Sequence, residues 1–388
     1  CACAYGNGRV ILMWEVNNNQ YYKIGVVNAS NNSISMSSAT DTSIDPSGGS
    51  TNGGMAIGYH VAQDRFVVAS RFNADGYGAG YIIKVTSNTA SSLGTQVQFT
   101  SNNDAAASAR PFSICYDPDN EKMVIAARWL QKPQAVVATV SDMTISFGTA
   151  AEADTSVYTS DQAFEIVYDT NLNKLIYVYL RSDEDGYAKM GSVSGTSITW
   201  ESTAYEWNNG DSPGVSAAYV SATNQVLIAS RFQGASGGTM RAIAATPAAN
   251  GSISYGTSVN TGPGSSNDQS QGGRVCDCPE IGVAVVTAPH SGNGDGGVDD
   301  NVYSSVINCG SASTTLTASN YVGIADAAYA NGVTATIQTA GTVNDDQSSL
   351  TAGQFYYIQN NGTLGTSAGS VSVVAGVAIA STKLLVKC

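Results

Sequence analysis

One pattern of apolar runs returns about every fifty residues, and it limits the fold more than any other feature of the chain. Run A is "FSICY" or "FEIVY", followed by a turn of Asp, Asn and Pro type such as "DPDNEK". Run B is "MVIAAR", "LIYVYLR", "VLIASR" or "FVVASR", and a variable Gly-rich loop comes after it. Run C is "AVVATV", "AKMGSV" or "MRAIAA"; a tight turn then leads to run D, "TISFG", "SITWE" or "SISYG". Short runs rich in Val, Ile, Tyr, Phe and Thr, each bounded by breakers, are the signature of antiparallel strands in hairpins. Run B begins at Val10, Phe66, Met123, Leu175, Val226 and Ile281, at spacings of 56, 57, 52, 51 and 55 residues. Six copies of a four-stranded unit at this period predict an all-β fold, a six-bladed β-propeller. A lone four-stranded sheet has open edges and a bare face, whereas in a ring each blade buries its faces on its neighbours. A β-solenoid is disfavoured because its repeats are usually shorter.

The repeat stops near Ser319, which predicts a propeller over residues 1–318 and a C-terminal β-domain over 319–388. In the latter, alternating apolar runs and Gly or Asn turns predict a small barrel or sandwich, and "QNNGTL" holds the Asn-Gly pair favoured in tight hairpins. With 388 residues the chain is long enough for two domains. The net charge of −13 and pI near 4.4 repel phosphate backbones and anionic lipid, so nucleic acid is excluded as a partner. No apolar run reaches the ~20 residues of a membrane helix; Val371 to Val386 is broken by Gly376, Ser381 and Lys383, so no membrane insertion is expected. The chain begins at Cys1 with neither Met nor a signal peptide, and the expectation is that an upstream segment was removed or that this is part of a longer product. Low charge and seven cysteines fit an extracellular or virion-surface setting.

"YDPDNEKMVIAARW" and "GSVSGTSITW" resemble a propeller repeat of tail-fibre and adhesin-like virion proteins of marine bacteriophages. The segment "YVGIADAAYANGVTATIQTAGTV…LTAGQFYYIQNNGTL…VAGVAIASTKLLVK" resembles a module that ends many such proteins. Together the two likenesses cover nearly the whole chain. The resemblance implies a non-enzymatic virion-surface protein that binds a host cell-surface glycan or receptor, meets other virion proteins and is present as a homo-oligomer. Departures are a first repeat that lacks the start of run A and a sixth that has "CDCP" in place of "YDPD". Two other readings stay open: a structural subunit of a capsid decoration or extracellular filament, and a sialidase-like glycan hydrolase.

Arg71, Arg128, Arg181 and Arg231 end run B, twelve or thirteen residues after Tyr59, Tyr116, Tyr168 and Tyr219. With Phe72, Trp129 and Phe232 beside three of them, they offer the bidentate hydrogen bonds and stacking that hold an acidic sugar. Sialidase-type propellers use an arginine cluster, and "SDMTISFG" is similar to the Asp-box of those enzymes. A ligand is asymmetric, however, and a residue repeated in four blades is more simply a repeated structural contact; Asp104, Asp161, Asp211 and Asp268 precede successive A runs and are available to pair with these arginines. The loops "SRFNADGYGAGY" and "LRSDEDGYAKM" occupy equivalent places and carry Asp75, Tyr77, Asp183, Asp185 and Tyr187. Variable loops on a rigid scaffold are where recognition is usually placed. The candidate ligand-binding set is therefore Phe72, Asp75, Tyr77, Trp129, Asp183, Asp185, Tyr187 and Phe232, with the four arginines structural. No cofactor is expected. The loop "PHSGNGDGGVDDN" offers Asp295, Asp299 and Asp300 as a structural Ca²⁺ site, against the reading of a solvated acidic loop. Of the two histidines, His60 follows Tyr59 at a turn and His290 lies in a loop; no nucleophile elbow, P-loop or HExxH is present, and Glu165 on run A is the oddest carboxylate.

Cys1 and Cys115 lie nine residues before Val10 and Val124, and Cys276 takes the matching place with one gap, which also brings Cys3 and Cys278 into line. In a six-bladed ring the first blade touches the sixth, so "CAC" and "CDC" are expected on neighbouring strands at the seam. At least one disulfide between Cys1 or Cys3 and Cys276 or Cys278 is predicted, and closing so long a loop stabilises by ~3–5 kcal/mol in the chain-entropy model. A zinc site on the same residues is the rival. Cys115 is expected as a buried thiol; Cys309 and Cys388 have no evident partners within the chain.

Overall fold

The computed structural model describes residues 2–16, 19–28, 30–31, 33–44, 54–72, 77–100, 112–129, 132–155, 164–210, 212, 214–234, 237–261, 274–278, 283–290, 301–307, 321, 323–327, 336–359, 363–368 and 373–387. Every regular element among them is a strand. The chain divides into two compact units, Cys1–Cys309 and Gly310–Cys388.

In the first unit the repeat folds as a series of antiparallel sheets. Sheet three shows the plan: Phe112–Asp117, Lys122–Trp129, Lys132–Ser141 and Thr144–Phe147 pair in chain order. Sheets one, two, four and five start at Ala2–Gly6, Met55–His60, Phe164–Asp169 and Ser216–Val220. Sheet six is three-stranded among the described residues, Arg274–Cys278, Val283–His290 and Asn301–Ile307. Its register differs from that of the sequence pattern: Ala284 opposite Asp277 is the counterpart of Val226 opposite Tyr219, three positions beyond Ile281.

The first hairpin repeats one device. Asp117 accepts hydrogen bonds from the backbone N–H groups of Asp119 and Asn120, both at 3.0 Å, and Asp169 does the same for Asn171 (2.9 Å) and Leu172 (3.0 Å). These carboxylates substitute for missing backbone partners in the turn. The turn closes with a left-handed residue, Asp64, Glu121, Asn173 or Asn224 at φ 50–57°. Sheet one uses the tighter Asn7-Gly8 pair, left-handed at both positions.

Sheets one to five also carry a short strand that the sequence pattern does not reveal. In sheet three, Thr144–Phe147 pairs with one half of the third strand, and Ala151–Glu152 returns to pair with Gln134 and Ala135 in its other half. The first strand of each sheet packs on the first strand of the next, from Ala2–Gly6 against Met55–His60 through to Ser216–Val220 against Arg274–Cys278. This face-to-face succession is propeller-like. Five apolar cores fill the junctions, such as Ile11, Met13, Tyr22 and Ile24 of sheet one with Phe66, Val68, Tyr81 and Ile83 of sheet two. Because strand side chains alternate in direction, each central strand feeds two junctions and reads as nearly continuous apolar sequence.

Polar groups at the junctions are matched too. The Ser113 hydroxyl accepts a hydrogen bond from Ile166 N–H at 3.0 Å and donates to Glu165, which accounts for that carboxylate on a strand. Ser216 accepts from Val275 N–H at 3.2 Å in the same way. His60 is buried between sheets two and three, with Nε2 3.1 Å from the Glu121 carbonyl oxygen and Nδ1 accepting from Gln63 N–H at 3.3 Å.

The second unit holds a sheet in the order Val343–Asn344, Lys383–Val386, Val373–Ala380, Phe355–Ile358, Leu364–Gly365, and a two-stranded ladder of Ile324–Ala325 with Ile337–Gln338. Its core includes Leu350, Tyr356, Ile358, Val373, Ala375 and Leu384.

Candidate functional site

Hairpin register separates the four arginines. Counting six residues on from the closing pair of the first hairpin, Arg71, Arg128 and Arg231 face Gly78, Pro133 and Met240 across the next ladder. In sheet four that place belongs to Leu180, opposite Gly186, and Arg181 comes one residue later. The alternation of strand side chains therefore turns Arg181 the other way. The sign of this in the sequence is its spacing of thirteen from Tyr168, where the other three are twelve from their tyrosines. The four arginines are thus not one repeated contact.

Arg71 is buried, and among the described residues its Nε and Nη1 atoms, like Nε of Arg231, find no hydrogen-bond partner. Arg181 faces sheet three instead. Its Nε and Nη2 donate to Oδ2 of Asp154 at 3.0 and 2.8 Å, and the Tyr179 hydroxyl donates to the same oxygen at 2.5 Å. Asp154 follows the short strand Ala151–Glu152 of sheet three, so one carboxylate ties two sheets together. Burial works against the Arg181 charge, but the Asp154 hydrogen bond and charge outweigh it and hold the guanidinium protonated above its ordinary range. The expected partners Asp104, Asp161, Asp211 and Asp268 lie outside the described residues.

The other side of the Arg181 guanidinium lies 3.8 Å from the centre of the Tyr187 ring, within cation–π range. The Tyr187 hydroxyl donates to Glu206 Oε2 at 3.2 Å, and burial, then the Glu206 charge, raises its pKa. Tyr187 stacks on Tyr179 at 6.4 Å between centres. The loop between them is a compact turn: Glu184 N–H donates to the Arg181 carbonyl oxygen at 2.9 Å, Arg181 N–H to that of Asp185 at 3.1 Å, and Asp185 N–H to Asp183 Oδ1 at 3.2 Å. Asp185 also accepts a hydrogen bond from Gly210 N–H, and Asp183 is exposed. The result is a half-exposed patch of guanidinium, phenol and carboxylate at one end of sheet four, held by turn hydrogen bonds rather than by loop length.

Of the other expected ligand residues, Tyr77 is half-buried at the start of a strand. Phe232 is corrected: it is 9% exposed within the core between sheets four and five, 5.7 Å from the Trp207 ring, and presents no free face to a ligand. Phe72, Arg128 and Trp129 are placed by their backbones alone, and Asp75, Asp295, Asp299 and Asp300 lie outside the described residues. Among the described residues no cluster of three His, Cys, Asp or Glu side chains is arranged to hold a metal. Cys3, Cys276 and Cys278 stand as thiols, and Cys1 lies outside the described residues. Hairpin register also moves the cysteine alignment: Cys276, opposite Val285, matches Cys115, opposite Val124, and both match Ala4 rather than Cys1. Asp154, Tyr179 and Glu206 carry no motif, and only pairing in space brings them to the site.

No protein-family model matches the sequence, and no curated protein matches it. Solved structures do. The BP39L lectin from Burkholderia pseudomallei aligns with a TM-score of 0.51 at 9% identity, over 75% of this chain and 82% of its own. A mutant of AofleA from Arthrobotrys oligospora aligns at 0.48 and 7% identity, over 79% and 82%. An exo-beta-1,3-galactanase from Phanerochaete chrysosporium, with beta-1,3-galactotriose, aligns at 0.37 and 8% identity, over 72% of this chain and 55% of the enzyme, so the chain spans little more than half of its length. At such identities the likeness is one of fold, and fold does not carry function with it. The expectation of a non-enzymatic protein is corrected here: exo-beta-1,3-galactanases are enzymes, and they are among the structures this chain matches.

Proposed function

We propose that the first unit is a six-bladed β-propeller that recognises carbohydrate at the Arg181–Tyr187–Glu206 end of sheet four. The carrying observation is the guanidinium stacked 3.8 Å over a tyrosine whose hydroxyl reaches a carboxylate. Sugar hydroxyls take hydrogen bonds from guanidinium and give them to carboxylate, and the tyrosine offers an apolar edge beside them. The lectin that shares the fold supports the same reading. The repeat's resemblance to phage tail-fibre proteins supports placement on a virion surface, facing a host glycan; there, several copies would turn weak single-site contacts into firm attachment.

The test is a glycan array on the full chain, followed by calorimetry on the best ligand. Tyr187→Ala is expected to weaken binding about tenfold, because it removes the ring that holds the Arg181 guanidinium in place. Wild-type protein that binds no array glycan, or equal affinity in Tyr187→Ala, overturns the reading. Release of sugar from the ligand during the titration would replace binding with catalysis as the activity.

A further inference from the structure

The junctions between successive sheets follow one rule at their first strands. Take the residue two before the end of the first hairpin in one sheet and the residue three before it in the next. These pairs are Ala4 with Ile57, Gly58 with Ile114, Cys115 with Ile166, Val167 with Ala217, and Ala218 with Val275. At the second of these pairs the approach is close: a Cβ on Gly58 would lie 3.2 Å from Cγ2 and 3.4 Å from Cγ1 of Ile114. Carried from sheet six to sheet one, the same rule gives Cys276 with Cys3.

Side-chain direction agrees. Asp277 faces sheet five, where its Oδ2 accepts from the Ser221 hydroxyl at 2.9 Å, so Cys276 and Cys278 face away from it. In sheet one, Ala2 and Ala4 pack on the core shared with sheet two, so Cys3 and Tyr5 point away from that junction. The faces that bear these cysteines are apolar and uncovered. Tyr5 is 63% exposed and Leu12, opposite Cys3, 37%; Val306, in the row of Val285 and Cys276, is 68% exposed. In sheet two the counterpart of Leu12, Val68, and that of Val306, Ile82, are both buried. Burial, then neighbouring charges with Cys3 among them, raises the pKa of the Cys276 thiol.

We propose that Cys3 and Cys276 form a disulfide that locks sheet six onto sheet one. Every other junction is crossed by a loop of the chain; between sheets six and one no loop runs, and the disulfide supplies the missing covalent link. The oxidant is a small-molecule disulfide such as oxidised glutathione. The Cys3 thiolate attacks one of its sulfurs and releases one glutathione thiolate. The Cys276 thiolate then attacks the Cys3 sulfur and releases the second, and the two protein protons end on the two glutathione thiols. At the Gly58 and Ile114 place in the repeat a Cβ on one strand comes within 3.4 Å of side-chain atoms on the other, the close approach of neighbouring strands that a disulfide needs. The proposal rests on the ring closure given above and not on the ligand.

The test is oxidation of the full chain with glutathione disulfide, alkylation of remaining thiols, digestion without reduction and mass spectrometry. A Cys3–Cys276 cross-link within one chain is expected, retained in Cys278→Ser and lost in Cys276→Ser. The melting midpoint of the wild type should rise by about 5–10 °C on oxidation. Full alkylation of Cys3 and Cys276 in the oxidised wild type, a link from Cys3 to Cys278 instead, or a link between two chains overturns the proposal. A cross-linked protein that binds no glycan overturns only the carbohydrate reading.

Discussion

Asp154→Ala removes the acceptor of three hydrogen bonds in one step. Two donors belong to Arg181, whose side chain is 29% exposed and can recover part of the loss from water, while the third is the buried hydroxyl of Tyr179. A buried hydroxyl left without a partner costs ~1–3 kcal/mol, and a charge-assisted hydrogen bond contributes ~1.5–3 kcal/mol before exposure discounts it. Asp154→Ala should therefore destabilise by about 3 kcal/mol. Arg181→Ala should cost about 1.5 kcal/mol, because Asp154 keeps Tyr179. The double variant should cost about 3 kcal/mol, leaving a coupling energy near 1.5 kcal/mol. Urea unfolding of the four proteins of the cycle, followed by tryptophan fluorescence at constant m-value, measures each term. A coupling below about 0.3 kcal/mol would mean that the pair behaves as a surface salt bridge and does not tie sheets three and four together.

Two other perturbations probe the junctions. A Cβ on Gly148 would sit 1.9 Å from the backbone oxygen of Thr196 in sheet four, whereas at Gly256, which ends the fourth strand of sheet five in the same way, the nearest atom is 3.7 Å away. Gly148→Ala should cost about 3 kcal/mol and Gly256→Ala under about 0.5 kcal/mol in the same unfolding assay; equal costs would refute the packing given for Gly148. Burial lowers the pKa of His60 below its ordinary 6.5, so the folded state resists the proton that the unfolded chain accepts. Its contribution is complete above about pH 6.5 and is lost as pH falls from there through the folded value. His60→Gln should flatten the decline of the melting midpoint between about pH 6.5 and 5, and an unchanged slope would show that other groups set it.

The strand plan was legible because alternation and turn chemistry are local. The runs around Tyr116 and Met123, or Tyr168 and Leu175, pair as the sequence pattern implies. The returning strand at Ala151–Glu152 was not legible, since two paired residues carry no periodicity. At the site, Arg181 and Tyr187 stood out as residue types in a Gly-rich loop, yet grouping Arg181 with Arg71, Arg128 and Arg231 ignored a one-residue shift. In a strand such a shift turns the side chain to the opposite face. Phe232 failed for a related reason: an aromatic at a strand end looks the same in sequence whether it meets solvent or, as here, the ring of Trp207. Asp154 acts across a junction between sheets, a relation that residue spacing does not encode.

The succession of sheets has a consequence for how the molecule is made. The first hairpin of each of sheets one to five closes over two or four residues, and each new sheet docks on one already formed, so most contacts are available to a growing chain as it emerges. In the proposed ring the union of sheet six with sheet one is different, because its partners are separated by nearly the whole first unit. Closure entropy grows only with the logarithm of that separation. Late closure is therefore thermodynamically mild, but until it happens the apolar face of Tyr5 and Leu12 is open to a sheet from another molecule. If the proposed ring forms, crowded synthesis should expose this chain to exchange of its terminal sheet between molecules, a hazard set by the order of assembly rather than by final stability.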